Sequence, residues 1–193
     1  FVRGTKYVAL ILFPMILVIT AYAHEGLRWW LGDEFARHST PVLQCLAFGV
    51  FVNGLAYVFA TLVQGIGRPD LGAKLHLLEL PIYLLVLWWA IQNYGIVGAA
   101  MAWTARMVVD GVLLFWLSSR FLGGNAVLLK RMTAGLLASL GGLAMPLLVD
   151  DTIPRTAIVL LILTVFVSMA WFVVLAGDER AYIKGRLGRA GDL

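Results

Sequence analysis

Two ionisable residues stand where a chain this apolar should carry none. Arg106 and Asp110 fall four apart in Trp103-Thr-Ala-Arg106-Met-Val-Val-Asp110, so a helix puts them on one face and lets them pair. Upstream, His76, Glu79 and Tyr83 share a face at spacings of three and four. An arginine presents a planar fork suited to phosphate. Glu79, Asp110 and His76 are the types that line a proton or ion path. Each charge costs about 2.5–3.5 kcal/mol at mid-membrane on insertion scales, so lipid is not their setting. They either line an aqueous pathway or staple helices together. Asn53, Tyr57, Thr61 and Gln64 follow 4, 4, 3 spacing and form one polar stripe. It reads either as a cavity wall or as a set of interhelical hydrogen bonds. His24 and His38 read as solvated.

The elements that carry these residues are membrane spans. Hydrophobic residues make up 61% of the 193 and charged ones 13%, against about 25% charged in a soluble domain. Mean hydropathy is +0.89. A bilayer core needs about 20 apolar residues per helix. Six stretches qualify: A, Tyr7 to Tyr22; B, Val42 to Val63; C, Leu71 to Ile91; D, Ile96 to Leu117; E, Met132 to Val149; F, Ala157 to Ala176. The fold class is therefore all-α, a polytopic transmembrane helix bundle. Gly26, Gly32 and Pro41 break the chain between A and B, and Gly65-Ile-Gly67-Arg68-Pro69 ends B. Asp70 is expected to cap C. Asn93-Tyr94-Gly95 turns C into D, Gly123-Gly124-Asn125 precedes E, and Pro154 starts F. Pro14 and Pro81 can kink A and C. Gly98, Ala99 and Ala102 give D a small-residue face for close packing.

Positive charge orients the set. A cytoplasmic N-terminus puts Arg3, Lys6, Arg68, Lys74, Arg120, Lys130, Arg131, Arg180, Lys184, Arg186 and Arg189 inside, eleven of the fifteen Lys and Arg. The outer loops hold Arg28, Arg37 and Arg155 among Glu25, Asp33, Glu34, Asp150 and Asp151. Trp29-Trp30 and Trp88-Trp89 suit the outer interface. The basic tail, 177–193, is expected on the cytoplasmic face. The net charge of +4 is a matter of topology and not a nucleic-acid footprint. Cys45, the single cysteine, reads as a small packing residue and excludes an internal disulfide. The start on Phe1, nearly at a span, is expected of a piece of a longer protein.

The chain shows no HExxH, paired-cysteine site, nucleophile elbow or phosphate-cradling glycine loop. Gly65-Ile-Gly67 ends a helix instead of opening one from a strand. The expectation is a protein that is not an enzyme, with no cofactor and no bound metal.

Three stretches carry a resemblance. Leu62-Val-Gln64-Gly65-Ile-Gly67-Arg68-Pro69-Asp70 is followed by Lys74-Leu-His76-Leu-Leu-Glu79-Leu-Pro81. Then comes Tyr94-Gly95-Ile-Val-Gly98-Ala99-Ala100-Met-Ala102-Trp103, with Arg106 after it. In this order, and with the Leu31-Gly32 turn, they resemble the polysaccharide and O-antigen flippases of the multidrug/oligosaccharidyl-lipid/polysaccharide exporter superfamily, over roughly Tyr7 to Phe121. The resemblance implies twelve or fourteen helices in two lobes around a central cavity. Residues 1–121 would be the later part of the C-terminal lobe, 122–176 an accessory helix pair and 177–193 the basic tail.

It also implies a bacterial inner-membrane transporter that moves an undecaprenyl-pyrophosphate-linked glycan by alternating access, with a proton or sodium gradient proposed to drive it. Its partners would be membrane lipids and the missing N-terminal lobe. Arg106 would contact phosphate, while Asp110 and Glu79 would couple the ion. His76, Asn53, Tyr57 and Gln64 complete the candidate set. A multidrug or lipid II exporter of the same superfamily is the neighbouring alternative. A non-transporting scaffold and a membrane enzyme of glycolipid metabolism are the other two.

Overall fold

A computed structural model describes residues 2–121, 126–149 and 151–170. The basic tail, residues 171–176 of span F, the Gly123-Gly124-Asn125 loop and Asp150 lie outside them. So do the side chains of Arg3, Lys6, Arg120, Lys130 and Arg131. The described residues are helical throughout, with no strand among them.

Helix occupies each of the six expected positions. Helix α1 is Val2–Ala21, α2 Ala23–Leu31, α3 Asp33–Gly65, α4 Pro69–Phe121, α5 Ala126–Ala144 followed by a 3-10 turn at Met145–Leu148, and α6 Thr152–Met169. Three stretches are long and apolar enough to cross a membrane: α3, 69–118 and α6. There are four if α1 and α2, bent by 65°, count as one broken span. The stretch 69–118 is itself a hairpin. Gly95 takes φ 58°, ψ −137°, which ends helical geometry at the position where glycine alone carries no penalty. His76 and Asp110, from its two arms, lie 3.4 Å apart; a straight helix would hold them about 50 Å apart. The tight turn expected at Asn93-Tyr94-Gly95 is therefore present. Asn93 closes it by donating to the Trp89 carbonyl at 2.8 Å.

Two boundaries differ from expectation. Span B was expected to begin after Pro41, yet α3 starts at Asp33 and carries Pro41 inside it. The break falls at Gly32, whose φ of 91° is open to glycine. Asp33 and Glu34 then occupy the first turn, where acidic groups favour the helix dipole. Asp70 does not cap α4. Pro69 takes the first helical position, which its ring suits, and Asp70 sits one residue in. There it accepts from Arg68 Nε at 3.3 Å and pairs with Lys74 at 3.5 Å.

Helices α1 to α5 belong to one compact unit and α6 to a second. In the first, α3 is the hub. It runs antiparallel to α1: Phe13 meets Phe51 edge-on at 6.2 Å, and Gln44 donates to the Thr20 carbonyl at 3.0 Å. It runs parallel to the second arm of α4, 96–121, because Cys45 meets Thr104 and Phe59 meets Ser118. Glycines let these helices approach. A Cβ on Gly54 would strike Leu12, and one on Gly49 would strike the Trp103 ring. Ala56, Phe59 and Leu114 bury together, with Phe115 stacked edge-on against Phe59 at 5.3 Å. Helix α5 and its 3-10 turn pack against α1. In α6 the Thr156 and Thr164 hydroxyls donate to carbonyls four residues back, as lone hydroxyls do in apolar helices.

Candidate functional site

The candidate residues come from three helical segments that face one opening. The polar stripe of α3 points away from the buried face of that helix: Asn53, Tyr57, Thr61 and Gln64 are all exposed, while Val52, Leu55, Ala56, Val58, Phe59 and Val63 are buried. The same 3.6-residue period thus sorts one helix into a packing face and a polar face. Among the described residues the Thr61 hydroxyl of the stripe donates to the Val58 carbonyl, inside its own helix. The interhelical bonds of α3 lie off the stripe, at Thr40, Gln44, Cys45 and the Phe59 carbonyl.

Asn53, Tyr57, Ala60 and Gln64 form one wall of a pocket of about 330 Å³. The second arm of α4 supplies the other wall with Trp103, Arg106, Met107, Asp110 and Leu114, and His76 enters from the first arm. Six of the seven candidates, Asn53, Tyr57, Gln64, His76, Arg106 and Asp110, therefore line one space. The volume lies in the usual range of ligand pockets.

Glu79 sits just behind this lining. It and Asp110 are buried, at 8% and 6% exposure. Arg106 reaches Glu79 Oε2 from Nε at 3.8 Å, and its guanidinium lies over the Tyr83 ring at 5.1 Å from the centroid, a cation–π distance. Arg106 and Asp110, free to pair along one helix, have their close partners across the hairpin, as a staple between helices requires. Asp110 faces His76 Nδ1 at 3.4 Å, and that nitrogen also lies 3.8 Å from Glu79 Oε2. The cause is the antiparallel arm, which brings His76 to Asp110 and Glu79 to Arg106 within 4 Å. None of these contacts closes into a hydrogen bond. Glu79 Oε1 and Oε2, Arg106 Nε and Asp110 Oδ1 are buried without a hydrogen-bond partner. Ion pairs at 3.4–3.8 Å hold charge without fixing geometry.

Two features were not singled out from the sequence, and two readings change. Trp103 lines the pocket and also roofs Gly49; its position three residues before Arg106, on the same helix face, is the signal that could have found it. Met107 lines the pocket next to Arg106. Cys45 does more than fill space, since its thiol donates to the Thr104 hydroxyl at 3.4 Å and that hydroxyl donates to the Cys45 carbonyl at 2.8 Å. His24 is not simply solvated: its Nδ1 lies 3.3 Å from the Thr40 hydroxyl, tying α2 to α3. His38 is exposed.

The arrangement can accept an anion at Arg106 and store or pass positive charge at the Glu79–His76–Asp110 cluster. It presents amides and aromatic faces on the opposite wall. No protein-family model matches the chain, and no solved structure matches it. Among curated proteins it is similar to one described as "Putative O-antigen transporter" from Shigella flexneri, with 34% identity over 111 residues. The match covers 58% of this chain, and the chain spans only about a quarter of that protein, 27% of its length. With its apolar helices, this likeness supports a multi-pass membrane protein related to the O-antigen transporters.

Proposed function

We propose that this chain is part of a bacterial inner-membrane transporter that carries a lipid-linked oligosaccharide, an O-antigen or exopolysaccharide repeat unit, between leaflets by alternating access. The single observation that carries the reading is the pocket in which Arg106 stands among Asn53, Tyr57, Gln64 and Trp103. A guanidinium binds the diphosphate of such a substrate through paired N–H donors. Amides and aromatic faces suit the hydroxyls and apolar faces of sugar rings. Similarity to a protein with an O-antigen transporter's name supports the same substrate class.

In this reading Arg106 exchanges Glu79 for the substrate's phosphate. Glu79 and Asp110, left beside His76, take up a proton or sodium ion and return it as Arg106 swings back. Loose ion pairs suit that exchange, because a closed bidentate bridge would cost several kcal/mol to part in a dry site. The rest of the protein supplies the opposing wall. Both ends of this chain face the cytoplasm, as the charge distribution asks.

The test is replacement of Arg106 in the full-length protein, in a strain that lacks the transporter. Arg106→Ala should abolish surface polysaccharide with protein levels intact. Arg106→Lys should retain part of it, since a point charge replaces a fork. Normal export by Arg106→Ala would remove the proposed role. A second arm uses Arg106→Cys: labelling by a water-borne thiol reagent supports the pathway, and protection in every state sinks it.

A further inference from the structure

We infer that the α4 hairpin holds a binding site for one divalent transition-metal ion, of the zinc or manganese class, with His76 Nδ1, a Glu79 carboxylate oxygen and an Asp110 carboxylate oxygen as ligands. The three ligand atoms lie within 4.8 Å of one another, with His76 Nδ1 3.8 Å from Glu79 Oε2 and 3.4 Å from Asp110 Oδ1. Bonds of about 2.0–2.2 Å from nitrogen and oxygen to one ion set ligand atoms roughly 3–4 Å apart. A closure of under about 1 Å therefore completes the set.

Acidic residues near each other do not make a site. The independent observation here is that both carboxylates are more than nine-tenths buried. Glu79 Oε1 and Oε2 and Asp110 Oδ1 have no hydrogen-bond donor. Buried carboxylate oxygens without donors are rare because each carries a desolvation cost, and a cation set between them offsets it.

The donor chemistry selects the class of ion. Alkali and alkaline-earth ions take oxygen ligands, whereas an imidazole nitrogen beside carboxylates suits zinc, manganese or iron. His76 and Glu79, three apart on one arm, and Asp110 on the other form a one-nitrogen, two-oxygen set. Its open side faces the pocket that His76 and Asp110 line, where water completes the coordination. The charges also balance, since two carboxylates neutralise a divalent ion. Arg106, now 3.8 Å from Glu79, is then displaced toward the pocket. All three ligands come from one hairpin, so the ion clamps its arms together. The ion would compete with the proton or sodium ion of the proposed transport cycle for the same carboxylates, and its binding is measured without transport.

The experiment uses the full-length protein in lipid nanodiscs, stripped with a chelator and titrated calorimetrically with Zn²⁺. One saturable ion per chain is expected, and His76→Ala and Asp110→Ala should each weaken it by at least about tenfold. His38→Ala, at an exposed histidine elsewhere, should leave it unchanged. As a second measurement, His76→Cys loaded with Co²⁺ should show a thiolate-to-cobalt charge-transfer band that the parent lacks. The proposal is overturned if no saturable binding occurs, or if binding is indifferent to both alanine changes. It is also overturned if the cysteine variant shows no such band, or if sodium in place of potassium abolishes Zn²⁺ binding.

Discussion

The second arm of α4 has two faces that obey different rules. Toward α3 it is closed. Trp103 lies over Gly49, Thr104 exchanges hydrogen bonds with Cys45, and the Ser118 hydroxyl donates to the Phe59 carbonyl. Toward the first arm it is loose. Arg106 and Asp110 meet Glu79 and His76 at 3.4–3.8 Å, and buried polar atoms stay without hydrogen bonds. Lipid gives helices no hydrophobic reason to associate, so association rests on close contact and polar pairing. The α3 face uses both. At the depth of Arg106 the hairpin face uses charge and one cation–π contact with Tyr83, and the arms meet closely only near their turn, at Gly98 and Ala90. The contrast separates a rigid frame from an adjustable interior on one helix.

The largest test of that contrast is at the turn. A Cβ on Gly98 meets the Ala90 main-chain carbonyl, which cannot swing aside. Gly98→Val should leave little folded protein in the membrane, measured by yield and by size-exclusion profile in detergent. A variant that accumulates and melts like the parent would show that the turn is not part of the frame. Next, Gly49→Leu forces the Trp103 ring out of the seam and should destabilise by about 1–3 kcal/mol, read as a lower midpoint of thermal unfolding. Thr104→Val removes both bonds with Cys45 and should cost about 1 kcal/mol, since such bonds average about 0.6 kcal/mol each in membranes. The smallest effect is expected in the loose face. Asp110→Asn should change stability by under about 1 kcal/mol, because neutralising a buried charge also removes its desolvation cost, while export falls. A loss as large as that of Gly49→Leu would erase the difference between the two faces.

The sequence made the helices and the hairpin legible for a simple reason. Hydropathy and glycine act locally, and Asn93-Tyr94-Gly95 reads as a turn whatever surrounds it. The gathering of Asn53, Tyr57 and Gln64 with Arg106 was open only as one of two alternatives, because a polar stripe does not say which helix it faces. Two things were hidden. The proline at position 41 looked like a break, yet helix passes through it, since the glycine nine residues earlier already supplied the stop. The other was the register of the opposing arm: Arg106 was open to pairing with Asp110 on its own helix or to stapling two helices together, and it stands beside Glu79 of the first arm. Trp103 was passed over for a similar reason: its role depends on Gly49, which lies on another helix.

The 65° bend between α1 and α2 has a mechanical meaning. Transmembrane helices tilt on average by about 20° from the bilayer normal, so a segment turned by 65° from one of them lies close to the membrane plane. Helix α2 then works as an outrigger. Trp29 and Trp30 stand out from it, largely exposed, and indole rings favour the headgroup interface. Its far end is fastened to α3 by the Arg28–Asp33 pair at 2.9 Å and its near end by His24 and Thr40. A float moored at both ends sets the draught of the helix it is tied to. Bilayer thickness at that surface therefore bears directly on the height of α3, and with it on the height of the arm of α4 locked to it, the one that carries Arg106.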